Sequence, residues 1–190
     1  MANNDAPHGF TPIKHLSGAP YSGQANKYNI ASDYSTALYI GDIVKLAGSA
    51  DTRGVPTIER AAATDLPVGV ITAFEPKPES GLDQKYSPAD EVGYAWVCDD
   101  PNVIMRAQED GTLTAGDIGL NTKPTTTAGS IVTGISGEEL DYSEAGSTNT
   151  LMFKILRLYD AEDNEIGADS ECECKFNVHA YSTETGTTAT

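Results

Sequence analysis

The stretch Glu171-Cys172-Glu173-Cys174-Lys175-Phe176-Asn177-Val178 decides the fold class. Cys172, Cys174, Phe176 and Val178 occupy alternate positions, and Glu171, Glu173, Lys175 and Asn177 occupy the others. Successive side chains of an extended chain point to opposite faces, so this spacing predicts a half-buried antiparallel strand. The run at 151–159, Leu-Met-Phe-Lys-Ile-Leu-Arg-Leu-Tyr, is apolar on both parities, with Lys154 and Arg157 falling on opposite ones. That pattern predicts a strand covered on both sides, either central in a sheet or at an interface. Working outward, short apolar runs at 28–31, 37–46, 57–62, 68–74, 92–98, 103–108 and 131–135 are separated by turn residues. Many short strands at such spacing predict an all-β domain, a small barrel or a sandwich.

Three segments follow from this texture. Residues 1–27 are punctuated by Pro7, Gly9, Pro12, Gly18, Pro20 and Gly23, densely enough that no regular element is expected. They are predicted to form an extended N-terminal arm in which Phe10, Pro12, Ile13, Leu16 and Tyr21 are anchors able to become ordered on another protein. Residues 28–181 hold the β-rich body, and 182–190 are a Thr-rich tail with little to bury. The stretch 75–89, with three prolines, is expected to run over the surface, and no internal repeat is present.

Twenty-eight acidic against twelve basic residues leave a net charge of −16. Such a field repels phosphate backbones and anionic membrane surfaces, so neither nucleic acid nor membrane is an expected partner. No apolar stretch reaches the roughly 20 residues of a membrane span, and Met1-Ala2-Asn3-Asn4-Asp5 lacks the pattern of a secretory signal. Synthesis in the cytoplasm and reduced thiols at Cys98, Cys172 and Cys174 are the matching expectations.

A nucleophilic triad needs a histidine base, and His8 and His15 fall in the arm, leaving His179 in the body. Gly134-Ile135-Ser136-Gly137 is a turn and not a nucleophile elbow. Cys172 and Cys174 share a strand face while His179 sits at an odd offset, which argues for buried small hydrophobes over a zinc site. The acidic connection 160–167 lacks the ligand order of an EF-hand loop, and no phosphate-cradling glycine loop occurs. Tyr94 and Trp96 share a face and are expected to pack across strands. No enzyme activity, cofactor or metal is expected.

Several ordered patches carry a resemblance. Residues 37–46 (Ala-Leu-Tyr-Ile-Gly-Asp-Ile-Val-Lys-Leu), 67–71 (Pro-Val-Gly-Val-Ile) and 94–107 (Tyr-Ala-Trp-Val-Cys-Asp-Asp-Pro-Asn-Val-Ile-Met-Arg-Ala) resemble the cement, or head decoration, proteins of tailed bacteriophages. So do Gly116-Asp117-Ile118-Gly119, the run at 131–137, the run at 151–158 continuing through 163–167, and the run at 174–181. The resemblance spans about residues 28–181. It implies a small β-barrel or β-tulip-like domain with an N-terminal arm, located on the outer capsid surface of a virion. There it would bind the major capsid protein and brace the shell against packaged DNA, with no catalytic residues to carry over.

Under that reading the arm residues Phe10, Pro12, Ile13, Leu16 and Tyr21 lie across the capsid protein by strand addition. Decoration proteins of this kind occupy local symmetry axes, so a homo-oligomer, a trimer before a dimer, is expected. Leu151, Phe153, Ile155, Leu156 and Leu158 are the candidate interface. The rival from another class is a carbohydrate-binding β-module on a virion or cell surface, using Tyr94 and Trp96 as stacking rings.

Overall fold

The computed structural model describes residues 3–77 and 84–182. It is all-β: ten strands form a closed five-stranded barrel and an open five-stranded sheet. The barrel runs in the order β2 (Asn26–Ile30), β4 (Pro56–Arg60), β3 (Ile43–Ala50), β5 (Gly69–Phe74), β6 (Gly93–Cys98), and β6 closes on β2. The sheet runs β1 (Thr11–His15), β7 (Val103–Gln108), β10 (Glu171–Phe176), β9 (Phe153–Leu158), β8 (Asn121–Thr122). Every pairing is antiparallel except β2 with β4. Among the described residues no helix is long and apolar enough to cross a membrane.

Two apolar clusters account for this arrangement. Tyr28, Ile30, Val44, Ile58, Ile71, Ala95 and Val97 fill the barrel. Ile43, Val70 and Cys98, their immediate neighbours in sequence, belong instead to a second cluster with Val103, Met105, Ala107, Phe153, Ile155, Cys172, Cys174 and Phe176. Opposite parities on β3, β5 and β6 are therefore both buried: one faces the barrel interior, and the other faces the sheet packed against the barrel wall. The inward half of the alternation read at 171–176 stands, with Cys172, Cys174 and Phe176 all in the sheet core, while Glu173 of the outward half is itself buried beneath its ion pairs with Lys14 and Arg157.

The N-terminal segment is part of this body, which corrects the expectation of an arm without regular structure. Thr11–His15 pairs along β7, with a bulge at Ile13 between the Pro12↔Met105 and Lys14↔Ile104 partners. Phe10 is 1% exposed and stacks on Phe153 at a centroid separation of 4.4 Å, and Phe153 stacks in turn on Phe176 at 5.1 Å. Gly9 makes the entry possible. Its φ is +68°, and a Cβ there would lie 2.6 Å from the Ser136 side chain and 2.8 Å from the Gly41 carbonyl oxygen, which accepts a hydrogen bond from Phe10 N. Glycine and proline punctuation here marks tight packing of the chain entering an edge strand, not openness.

Other boundaries shift for local reasons. The apolar run at 37–46 is broken by Gly41, whose φ is +94°, and by Asp42, whose carboxylate accepts Tyr39 N, so β3 starts only at Ile43. Residues 131–135 form a turn and not a strand: Ser130 N donates to Ile135 O and Gly134 N to Ser130 O. The two-sided run at 151–159 is explained by a bulge at Leu156, between the Ile155↔Cys174 and Arg157↔Glu173 partners. One extra residue reverses parity, so Leu158 rejoins Phe153 and Ile155 against the same core.

Candidate interaction surface

A polar concavity lies where the N-terminal segment crosses one end of the five-stranded sheet. The Asn3 side-chain amide donates to the carbonyl oxygens of Glu165 (2.8 Å) and Ala168 (2.7 Å). The Gln108 side chain donates to Asn4 O at 2.7 Å and accepts from Ala6 N at 2.9 Å, fastening the segment across β7. Beside it opens a cleft of about 460 Å³ lined by His8, Arg106, Tyr159, Asp163, Asp169 and Glu171 among others. Arg106 makes a two-pronged pair with Glu171 and lies 4.8 Å over the Tyr159 ring. Burial and the neighbouring guanidinium hold His8 below the usual imidazole range, which favours the neutral ring. The Glu171 carboxylate is engaged by that guanidinium, and the cleft acts here as a polar joint holding residues 3–8 to the sheet.

The predicted anchors separate into two groups. Phe10 is a core residue and presents nothing to a partner; Pro12 and Ile13 are half-buried on the edge strand. Tyr21 packs against the core cluster, and burial pushes its hydroxyl up to about 12. Leu16 alone projects, 54% exposed at the tip of a turn closed by Gly18 N donating to His15 O. Among the interface candidates, Phe153 and Ile155 are fully buried within the chain, and Leu151, Leu156 and Leu158 are half-buried, so the strand does not offer a continuous apolar face. The bulge and the barrel wall supply the cover that the sequence pattern left open.

The nucleophile candidates are sequestered. Burial pushes the Cys98 thiol up to about 11 and raises Cys172 and Cys174 further, against thiolate formation. His179 is 1% exposed, wedged between the rings of Phe176 (5.2 Å) and Tyr181 (5.8 Å), and burial lowers its pKa. Among the described residues, no three His, Cys, Asp or Glu side chains converge as metal ligands. Trp96 is 39% exposed on the barrel, but the neighbouring Tyr94 ring is covered by the Lys27 ammonium at 4.0 Å and its hydroxyl donates to Asp51.

Buried carboxyls are the feature that sequence reading missed. Asp42 and Glu138 are both fully buried beside the single guanidinium of Arg60, whose Nε donates to Glu138 Oε1 at 2.8 Å. Glu138 also accepts from Ile43 N at 2.9 Å, which ties the 134–140 segment to the barrel. One cation serves two buried carboxyls: burial raises both above their ordinary range, and the Asp42 charge raises Glu138 further. Glu109 is fully buried with neither carboxyl oxygen hydrogen-bonded, and burial, with Asp117 and Asp110 nearby, pushes it up to about 7. No spacing rule marks these positions, because each depends on elements far apart in the chain.

The second missed feature is the turn at 130–135. It is held by its own backbone hydrogen bonds and docked by Ser136 N donating to Ile40 O and Ile40 N to Gly134 O. Yet Ile131 is 65% exposed, Val132 75% and Ile135 40%. An ordered turn that holds three branched apolar side chains in water is a surface suited to being covered by something else. No known protein family, curated protein or solved structure matches this chain.

Proposed function

We propose that this chain is a structural decoration protein of a tailed-bacteriophage head, bound to the outer surface of the capsid shell and bracing it against internal DNA pressure. The observation that carries the reading is the rigid turn at 130–135, which offers Ile131, Val132 and Ile135 to a partner. Leu16 on a second ordered turn adds a separate apolar contact. Small apolar anchors of this kind are individually weak, and they hold when many copies bind a repeating shell. The sequence patches at 37–46, 94–107 and 151–158 support the same assignment by resemblance. The net charge of −16 fits attachment outside the shell, away from packaged DNA.

In this form of the proposal the N-terminal segment acts as an integral edge strand, and the exposed turns replace Phe10 as the docking elements. The test uses heads assembled without the protein, to which purified chain is added back. Ile131→Asp with Val132→Asp should leave the melting temperature unchanged and abolish co-sedimentation with the heads. Full retention of that variant overturns the role of the turn; failure of the wild-type chain to bind any head overturns the assignment.

A further inference from the structure

We propose that the outer face of the five-stranded sheet is a self-association surface, on which two copies pair about a two-fold axis with the acidic end of each over the basic end of the other. The register sets out the charges. Lys14 on β1, Ile104 on β7, Lys175 on β10 and Lys154 on β9 form one row across the strands. The adjacent row is Thr11, Arg106, Glu173 and Arg157. This face therefore holds five of the chain's twelve basic residues, with Glu171 and Glu173 as its only two strand carboxylates out of twenty-eight acids.

At the basic end Lys14 is paired with Glu173, and Lys154 and Lys175 are the electrostatically unsatisfied pair. Lys154 and Lys175 stand directly opposite each other on neighbouring strands, an arrangement that disfavours pairing. Their ammonium groups reach only backbone oxygens, Lys154 Nζ to Gly119 O at 3.1 Å and Lys175 Nζ to Phe176 O at 2.9 Å. Among the described residues neither pairs with a carboxylate. The Lys175 pKa is lowered by burial and by the charge of Lys154. Glu173 forms its ion pairs with Lys14 (2.6 Å) and Arg157 (3.1 Å) and not with either lysine of the pair.

The other end of the same strands carries the reverse charge. Asp160, Glu162, Asp163 and Glu165 are all exposed on the β9–β10 connection. That connection is ordered: the Asn164 amide donates to Tyr159 O and Glu171 O, and Asn3 holds Glu165 from both sides. Ile166 beside them is 50% exposed. From Lys154 to Tyr159 the strand spans about 17 Å, at 3.4 Å per residue. This is about twice the 8 Å screening length of physiological salt, so the two ends do not neutralise each other within one chain. An antiparallel two-fold brings each end onto its opposite and satisfies both at once, an isologous contact in which the same residues serve twice.

Charge reversal and rescue test this with purified protein alone, in 0.15 M salt where the repulsion between two acidic chains is short-ranged. Sedimentation of the wild type at on the order of 100 µM should give a mass of two chains. Lys154→Glu with Lys175→Glu, and separately Glu162→Lys with Asp163→Lys, should each weaken association at least about tenfold. Mixing the two reversed proteins should restore two-chain species, since one is then acidic at both ends and the other basic at both. The exposed Glu162 and Asp163 keep the test informative if the lysine variant fails to fold. A one-chain or three-chain mass for the wild type, a two-chain mass indifferent to both reversals, or no recombination of the folded variants would overturn the proposal.

Discussion

Replacing Glu109 by glutamine should stabilise the protein, and by an amount that depends on pH. Its carboxyl is fully buried with no hydrogen-bond partner and is held up at about 7, against 4.5 for an ordinary glutamate. The folded state therefore binds this proton more tightly than the unfolded chain. Stability is highest where the group is protonated in both states and falls as pH rises from the unfolded value through the folded one. The penalty on the ionised form amounts to about 3 kcal/mol at pH 8 and about 1.5 kcal/mol at pH 5.5. Glutamine keeps the shape and is neutral throughout, so it removes that penalty and leaves the same pair of buried polar atoms. For a chain of this size the melting temperature should rise by about 6–12 °C at pH 8 and about half of that at pH 5.5. Scanning calorimetry of both proteins at the two values measures it. An equal gain at both pH values, or no gain at pH 8, would refute the reasoning and mean that Glu109 is neutralised by something else.

Further outcomes follow from the packing. Phe10→Ala removes the ring stacked on Phe153 and should cost about 3–5 kcal/mol in urea unfolding, as for a buried core aromatic; a surface anchor would cost almost nothing. Deleting residues 1–24 should for the same reason destabilise the whole body and not merely its attachment, visible as a lowered melting temperature. Gly9→Ala should be strongly destabilising, since the added methyl meets Ser136 and the Gly41 carbonyl. Cys98, Cys172 and Cys174 should resist a thiol reagent at pH 8 in the native protein and react together once it is unfolded, because burial holds all three as thiols.

The parts of the fold legible in the sequence were those set by simple period. The strand at 171–176 follows its alternation, and 103–108 matches β7 residue for residue, because each lies in a regular ladder with one face on the core. The N-terminal strand was hidden by Pro12 and a bulge at Ile13, features compatible with an edge strand that a propensity argument counts as breaks. The doubly apolar run at 151–159 does form a strand with a neighbour on each side, but its two-sided pattern has a related cause: a bulge at Leu156 moves parity by one, and no composition signal announces it. Residues 131–135 have strand-forming side chains, but Gly134 at a φ of +77° turns the chain and leaves Ile131 and Val132 outside. The buried carboxyls Asp42, Glu109 and Glu138 were illegible because their cover comes from distant segments, and the paired lysines 154 and 175 became visible only with the register.

Quantitative add-back to decoration-free heads tests the proposed attachment to a shell most directly. The wild-type chain should co-sediment at a fixed, saturable number of copies per head and raise the temperature at which packaged DNA escapes, while the Ile131→Asp, Val132→Asp protein should do neither. Heads that take up no wild-type chain, or that release DNA at the same temperature with it bound, would contradict the account.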